Sequence, residues 1–251
     1  MGLTNDQIER YSRQIIVPGV GGRAQERLLA SSVAIVAEPD DAIGALAYLA
    51  GAGVGRIIMH PIGERAPYGA MVERMHDLNP DVAVDIADAV TDDATPEHCD
   101  LWLALIASAR AAEAATHIWC SRPGPGAQGA KEHRSAATIV ARLDAPARIA
   151  LMPASPPCPL CAAGALLSPP GERTNGTAAP APRHPGVEAT AKGAIAMVAV
   201  TEAFRLLAGI AGQQPEGQLI EFDGYVSRRS ALGRRRTSGG GQAPCACEVL
   251  S

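Results

Sequence analysis

The chain has 251 residues, a formal net charge of −4, 47% apolar residues and only 3% aromatic ones. That length suits one large α/β domain or two small ones, and its core must be built from Ala, Val, Leu and Ile rather than rings. The weak negative charge gives no electrostatic reason to expect nucleic acid or an anionic membrane as a partner.

The opening stretch MGLTNDQIER is polar and charged, unlike a signal or transit peptide. Ala42–Val54 is too short and too broken by glycine to span a bilayer. Both features fit a cytoplasmic protein. Residues 5–30 divide at Pro18 and Gly19 into two short amphipathic helical segments, with Thr4 or Asn5 as a cap for the first. Val33–Ala37 is an unbroken apolar run with β-branched residues, hence a buried strand. Ala42–Ala52 reads as helix, Arg56–Met59 as a second strand, and Gly69–Leu78 as a helix stopped by Asn79-Pro80. Val82–Ile86 and Leu101–Ile106 follow as strands, with Ala107–Ala115 helical after the latter. THIWC (116–120), ATIVAR (137–142) and ARIALM (147–152) read as further short strands.

Residues 168–186, rich in proline and glycine, are expected to form a flexible crossover loop. Val187–Ala208 has helical character, and Leu219–Phe222 with Tyr225–Leu232 suits a hairpin turning at Asp223-Gly224. Strands alternating with helices imply an α/β fold: a Rossmann-like, mostly parallel sheet with helices on both faces. The expected layout is a single domain over 1–251. It has an N-terminal helical arm (1–31), a core (32–167), the loop (168–186), and a C-terminal helix, β-hairpin and cysteine tail (187–251).

Four of the cysteines form two close pairs, Cys158/Cys161 and Cys245/Cys247. In a cytoplasmic chain such pairs suggest metal more than disulfide. A C-x₂-C pair with a distant second pair suits four thiolates around a tetrahedral, structural zinc. Three thiolates with a histidine, or simply buried reduced thiols, are the alternatives. Cys99 and Cys120 sit beside apolar runs and read as core.

The segment RYSRQIIVPGVGGRAQERLLASSVAIV, followed by YLAGAGVGRI, resembles the ThiF, MoeB and HesA proteins, bacterial relatives of ubiquitin-activating enzymes. LNP at 78–80, CDLWLAL at 99–105, CPLC at 158–161, TEAFRLLAG at 201–209 and LIEFDG at 219–224 agree in order. The resemblance covers almost the whole chain and is weak over 121–150. It implies a dimerising Rossmann-like domain that adenylates the C-terminal glycine of a ubiquitin-like sulfur carrier with ATP and magnesium, often beside a four-cysteine zinc. The family's second cysteine pair is usually C-x₂-C, whereas this tail carries C-x-C.

The residues that would serve ATP have departed from that pattern. Ala37, Pro39, Asp40 and Ala42 stand where the family's glycines bring backbone N–H groups to phosphate. Proline has no N–H to donate. Glu38, Asp40 and Asp41 place negative charge where polyphosphate would sit, and two unit charges about 4 Å apart repel by roughly 4 kcal/mol at an effective dielectric near 20. A plainer reading is that these acids cap the following helix. The ribose-binding Asp at the end of the second strand is replaced by Met59-His60-Pro61, where His60 reads as a surface histidine at a strand end. The phosphate-holding Arg, Gln and Lys segment is shortened to Arg65 and Arg74, with no lysine. The magnesium-binding Asp falls near Ala107, and 168–186 holds no cysteine.

These losses together point to a pseudoenzyme that binds neither ATP nor magnesium. Its expected partners are a second copy of itself, as a homodimer, or an active ThiF/MoeB-like protein, as a heterodimer, with a ubiquitin-like carrier or peptide besides. An active adenylyltransferase or sulfur-transfer enzyme, and an enzyme of different chemistry reusing the pocket, are the alternatives. Arg13 matches the family arginine that reaches across the dimer into the neighbour's nucleotide pocket. It is either a trans-acting arginine finger or a packing residue of the arm. Arg228, Arg229, Arg234, Arg235 and Arg236 form a basic cluster, read either as a solvated strand end or as a docking patch for an acidic partner.

Overall fold

A computed structural model describes residues 2–87, 99–120, 137–143, 147–152, 185–210, 217–222 and 227–231. The arm forms α1 (Asn5–Arg10), α2 (Ser12–Ile15) and α3 (Gly21–Leu29). Thr4 starts α1 with a reciprocal capping box: its hydroxyl accepts from Gln7 N–H, and the Gln7 side chain accepts from Thr4 N–H. The core then runs β1 (Ser32–Ala37), α4 (Pro39–Ala52), β2 (Arg56–Pro61), α5 (Ala66–Leu78), β3 (Ala83–Ile86), β4 (Leu101–Ile106), α6 (Ala109–Cys120), β5 (Ala137–Arg142) and β6 (Ala147–Met152). A long helix, here α7 (Pro185–Leu207), precedes β7 (Gln218–Phe222) and β8 (Ser227–Ala231).

The eight strands of the described residues join one sheet in the order β3-β2-β1-β4-β5-β6-β7-β8. β3, β2, β1, β4 and β5 are parallel, and β6, β7 and β8 continue antiparallel. The expected mostly parallel sheet and C-terminal hairpin are both present. Strands buried on both faces read as continuous apolar runs, and β1 and β4 do so because helices cover the sheet on each side. On one side α4, α5 and α7 bury Ile35, Leu46, Leu49, Leu103 and Ile195. On the other, α6 covers Ala34, Val36, Trp102 and Ile106.

The sequence LAGAGVG has a packing reason. Gly53 ends α4 in the left-handed conformation (φ 83°), and a Cβ there would meet the Tyr11 ring at 2.7 Å. At Gly55 a Cβ would stand 1.9 Å from the Leu29 carbonyl oxygen. Both glycines therefore let α3 and the arm close on the foot of the sheet.

Several expectations need correction. THIWC is the last part of α6, not a strand. Its β-propensity yields because Ala109–Ala115 already runs as helix and buries Ala111 and Ala115 under the sheet. α7 begins at Pro185, inside the stretch expected to be loop, with proline at the first helical position. α5 begins at Ala66, ahead of the expected Gly69. Cys99 is buried, as expected of a core residue. Residues 168–184, the Asp223-Gly224 turn, Cys158, Cys161, Cys245, Cys247 and Arg234–Arg236 lie outside the described residues, as does the side chain of Cys120.

Candidate functional site

The strand order reverses between β1 and β4, whose crossovers leave the sheet in opposite directions. In an open parallel sheet the crevice at the carboxyl ends of two such strands is where ligands bind. Here that crevice is bounded by Ala37-Glu38-Pro39 after β1, Pro61-Ile62-Gly63 after β2, and Ala107-Ser108 after β4.

Glu38 is the residue preceding α4, but its carboxylate makes no capping bond. Its Oε1 instead accepts from the Ser108 hydroxyl at 3.1 Å. Ser108 Oγ in turn accepts from Ala111 N–H at 3.1 Å, which caps α6. One chain of hydrogen bonds thus runs from the end of β1 across the switch point to the start of α6. Pro39 opens α4 and offers no N–H. The expectation that these acids act as side-chain caps is therefore corrected. Asp40 and Asp41 lie in the first turn of α4, where carboxylates complement the helix dipole. Burial raises the Asp41 pKa, Lys192 of α7 opposes that, and Glu38 and Asp40 add to the rise.

The floor beneath β1 and β2 is closed by Tyr68, a residue that the sequence reading passed over. It is fully buried, donates to Ala37 O at 2.7 Å and accepts from Ile62 N–H at 3.0 Å. Burial raises its pKa, the Ile62 N–H pulls it back, and Glu38 raises it further. Arg110 of α6 comes to the rim: its guanidinium lies 2.7 Å from where a Cβ on Gly63 would be. Arg65, in contrast, is spent on the end of β3, donating to Ile86 O and Ala87 O at 3.0 and 3.1 Å. The crevice so formed is crossed by a carboxylate–hydroxyl bond and ringed by further acids.

His60 is corrected as well. It is 4% exposed, not a surface residue, and stacks on Trp102 with ring centroids 5.1 Å apart. Its side chain belongs to the α6 face because the two-residue period of β2 puts it beside Ile58 rather than Met59. Its Nε2 has no hydrogen-bond partner among the described residues, and burial lowers its pKa from 6.5 to about 4. A neutral, deeply buried imidazole on that face is not placed to meet ribose hydroxyls.

Arg13 lies exposed on α2. Its neighbours anchor the arm at the far end of α4: Tyr11 is hydrogen-bonded to Asn79, and Gln14 Nε2 donates to Ala52 O at 3.1 Å. α4 has 14 residues, so Arg13 stands on the order of 20 Å along the helix from Glu38. Within its own chain it does not approach the crevice. Of the basic cluster, Arg228 and Arg229 are described. Both are exposed on β8, and Arg229 pairs with Glu202, a buried carboxylate of α7 that also binds Arg205 at 2.9 Å. Among the described residues no group of His, Cys, Asp and Glu is arranged to hold a metal, and no helix is long and apolar enough to cross a membrane.

No family model matches the chain. The vegetative HesA protein of Trichormus variabilis is 34% identical over 140 residues, covering 49% of this chain and 51% of HesA. The sulfur carrier protein adenylyltransferase of Thermus thermophilus is 44% identical over 57 residues, covering 23% of this chain and 21% of that protein. The matched stretches therefore span about half of the first relative and about a fifth of the second. Among solved structures, E. coli MccB crystallised with MccA superposes with a TM-score of 0.60 at 14% identity, covering 92% of this chain and 73% of that one. At that identity the likeness is one of fold. Sheet order, helical layers and switch-point crevice define a Rossmann-like scaffold with the fold seen in MccB. Over the matched stretches the chain is similar to HesA and to sulfur carrier adenylyltransferases of the ThiF/MoeB/HesA type.

Proposed function

We propose that this chain is a pseudoenzyme of the ThiF/MoeB/HesA type. It keeps the scaffold, does not adenylate, and serves as a non-catalytic partner subunit for an active relative, a ubiquitin-like carrier or a peptide biosynthesis protein. The observation that carries the reading is the Glu38–Ser108 hydrogen bond across the β1–β4 switch point. A phosphate entering there would have to displace Ser108 from the carboxylate and would then face Glu38, Asp40 and Asp41 with Pro39 offering no donor. ATP and magnesium do not suit this donor set. Carboxylates cluster where phosphate needs N–H groups, while the position after β4 that should carry a metal-binding carboxylate has Ala107. Tyr68 supports the same reading, because it ties together the two strand ends that would otherwise present the glycine turn and the ribose acid.

Calorimetry with millimolar ATP and Mg²⁺ should show no saturable binding, and ATP–pyrophosphate exchange should be absent. Micromolar binding or measurable exchange would return the chain to the active adenylyltransferases. The partner role rests on the arm. With Arg13 far from its own crevice, its phosphate-binding role is open only toward a neighbouring subunit, in a homodimer or with an active relative. There a guanidinium can offset charge developing on a phosphate. Arg13→Ala should slow adenylation by the active partner by at least about tenfold while the assembly stays intact; an unchanged rate would leave Arg13 as a packing residue. Zinc remains a proposal resting on the spacing of Cys158, Cys161, Cys245 and Cys247.

A further inference from the structure

At the opposite edge of the sheet from β8, α5 and β3 bound an open cleft of about 550 Å³. It lies along the outer side of β3, the end strand of the sheet among the described residues. Ala83 N–H bonds to Gly55 O and Ala87 N–H to Met59 O, so Ala83, Asp85 and Ala87 face β2. In a parallel ladder the alternate residues then turn their backbone groups outward. Val82 N–H is taken by Asn79 O at 3.2 Å, and Ile86 O is taken by Arg65. The N–H and C=O of Val84 and the N–H of Ile86 are left open among the described residues. Val72, Val82 and Val84 give the cleft an apolar floor, while Glu73 and Asp77, one helical turn apart and with His76 beside them, give it a rim in which carboxylates predominate. Neither of these two carboxylates has an ion-pair partner among the described residues. Asp85 at the margin is paired with Arg56 at 3.0 Å.

We infer that the α5–β3 cleft docks a short extended segment of a protein partner, added as a strand along β3, with basic side chains meeting Glu73 and Asp77. Strand addition draws affinity from the main-chain bonds and specificity from the side chains at the rim. The open Val84 and Ile86 groups supply the first, and the two unpaired carboxylates select Lys or Arg over acidic residues by charge complementarity. An edge left open beside a helix would otherwise invite uncontrolled pairing, and the acidic rim restricts which strands are accepted. The cleft is separate from the β1–β4 crevice, so this docking stands whether or not that crevice binds nucleotide.

The test uses the full chain and two labelled ten-residue probes, one alternating lysine with valine and the other glutamate with valine, read by fluorescence anisotropy. The lysine probe should bind saturably and at least about tenfold more tightly than the glutamate probe. Glu73→Lys with Asp77→Lys should abolish that preference. Val84→Pro removes only an outward N–H, which an edge strand tolerates, and should weaken the lysine probe by a similar factor. Binding should also slow amide exchange at Val84 and Ile86. Equal affinity for the two probes, or binding indifferent to the charge-reversed pair, would overturn the proposal. So would sedimentation showing that the edge is occupied by a second copy of this chain. The charge-reversed pair lies on an exposed helix face and keeps the test decisive even if the proline variant folds poorly.

Discussion

His60 has its ring against Trp102 and an Nε2 with no partner among the described residues, so protonating it there meets no compensating acceptor. Its pKa falls from 6.5 to about 4 through burial. The sign follows directly. The folded state resists the proton that the unfolded chain accepts, so stability is fully present above pH 6.5 and is lost as pH falls from 6.5 toward 4. The loss approaches about 3 kcal/mol once both states are protonated. Urea unfolding of the wild-type chain and of His60→Leu at pH 7 and pH 4.5 should show the wild type losing about 2 kcal/mol more than the variant. Equal losses would mean that the imidazole is solvated. The sequence placed His60 at a strand end, which is right, but exposure is a property of what lies above the strand. Trp102 is far away in the chain and reaches it only through the sheet. Tyr68, Ser108 and Arg110 were missed for the same reason: nothing in their spacing says that they meet Ala37, Glu38 and Gly63.

Besides the Gln14 and Gln25 bonds to Ala52 O, the arm is locked to the core by a polar junction around Tyr11. Tyr11 is 3% exposed, Asn79 Nδ2 donates to the Tyr11 hydroxyl at 2.9 Å and to Ala50 O at 2.7 Å, and Arg10 pairs with Asp81 at 3.1 Å. The LNP stretch that the sequence reading used as a family mark and a helix stop is thus a receptor for the arm's tyrosine. Asn79→Ala would remove the amide that bridges Ala50 O and the Tyr11 hydroxyl; Gly53 N–H still reaches Ala50 O and Asp81 still accepts from Tyr11, so the cost is roughly 0.5–1.5 kcal/mol for each bond lost. Hydrogen exchange should show α1 and α2 opening much faster in that variant while β1 and β4 keep most of their protection. Uniform destabilisation, with the arm no looser than the core, would contradict the junction. The helical character of the arm and its break at Pro18-Gly19 were legible, but not the further break at Tyr11 that divides the first segment into α1 and α2. THIWC was misread because five residues of β-branched and aromatic character carry no period long enough to separate strand from helix.

For the whole molecule, the cysteine pairs make the strongest remaining prediction. If Cys158, Cys161, Cys245 and Cys247 share a zinc, elemental analysis should find about one zinc per chain, and Cys158→Ser should lose most of it and free the tail to proteolysis. A metal-free, fully folded chain titrating with four free thiols in this set would remove the site. The two pairs stand more than eighty residues apart, so such a site would tie the tail of the chain back to the stretch just after β6.

What the sequence determined by itself was the alternation of apolar runs and helices, and with it the α/β class, the strand positions other than THIWC, and the hairpin. Those features are written in periods of two and 3.6 residues, which neighbouring positions suffice to express. It also determined the absence of glycine from the turn after β1 and of lysine from the segment between β2 and Asn79, because a missing residue type is missing in any fold. Only the tertiary structure decided what took their place: a carboxylate hydrogen-bonded to a serine seventy residues away, a tyrosine under two strand ends, and a buried histidine where a ribose acid would stand. Those pairings depend on the order β3-β2-β1-β4, and that order arises from crossover handedness and layer packing, which no local stretch of the chain encodes.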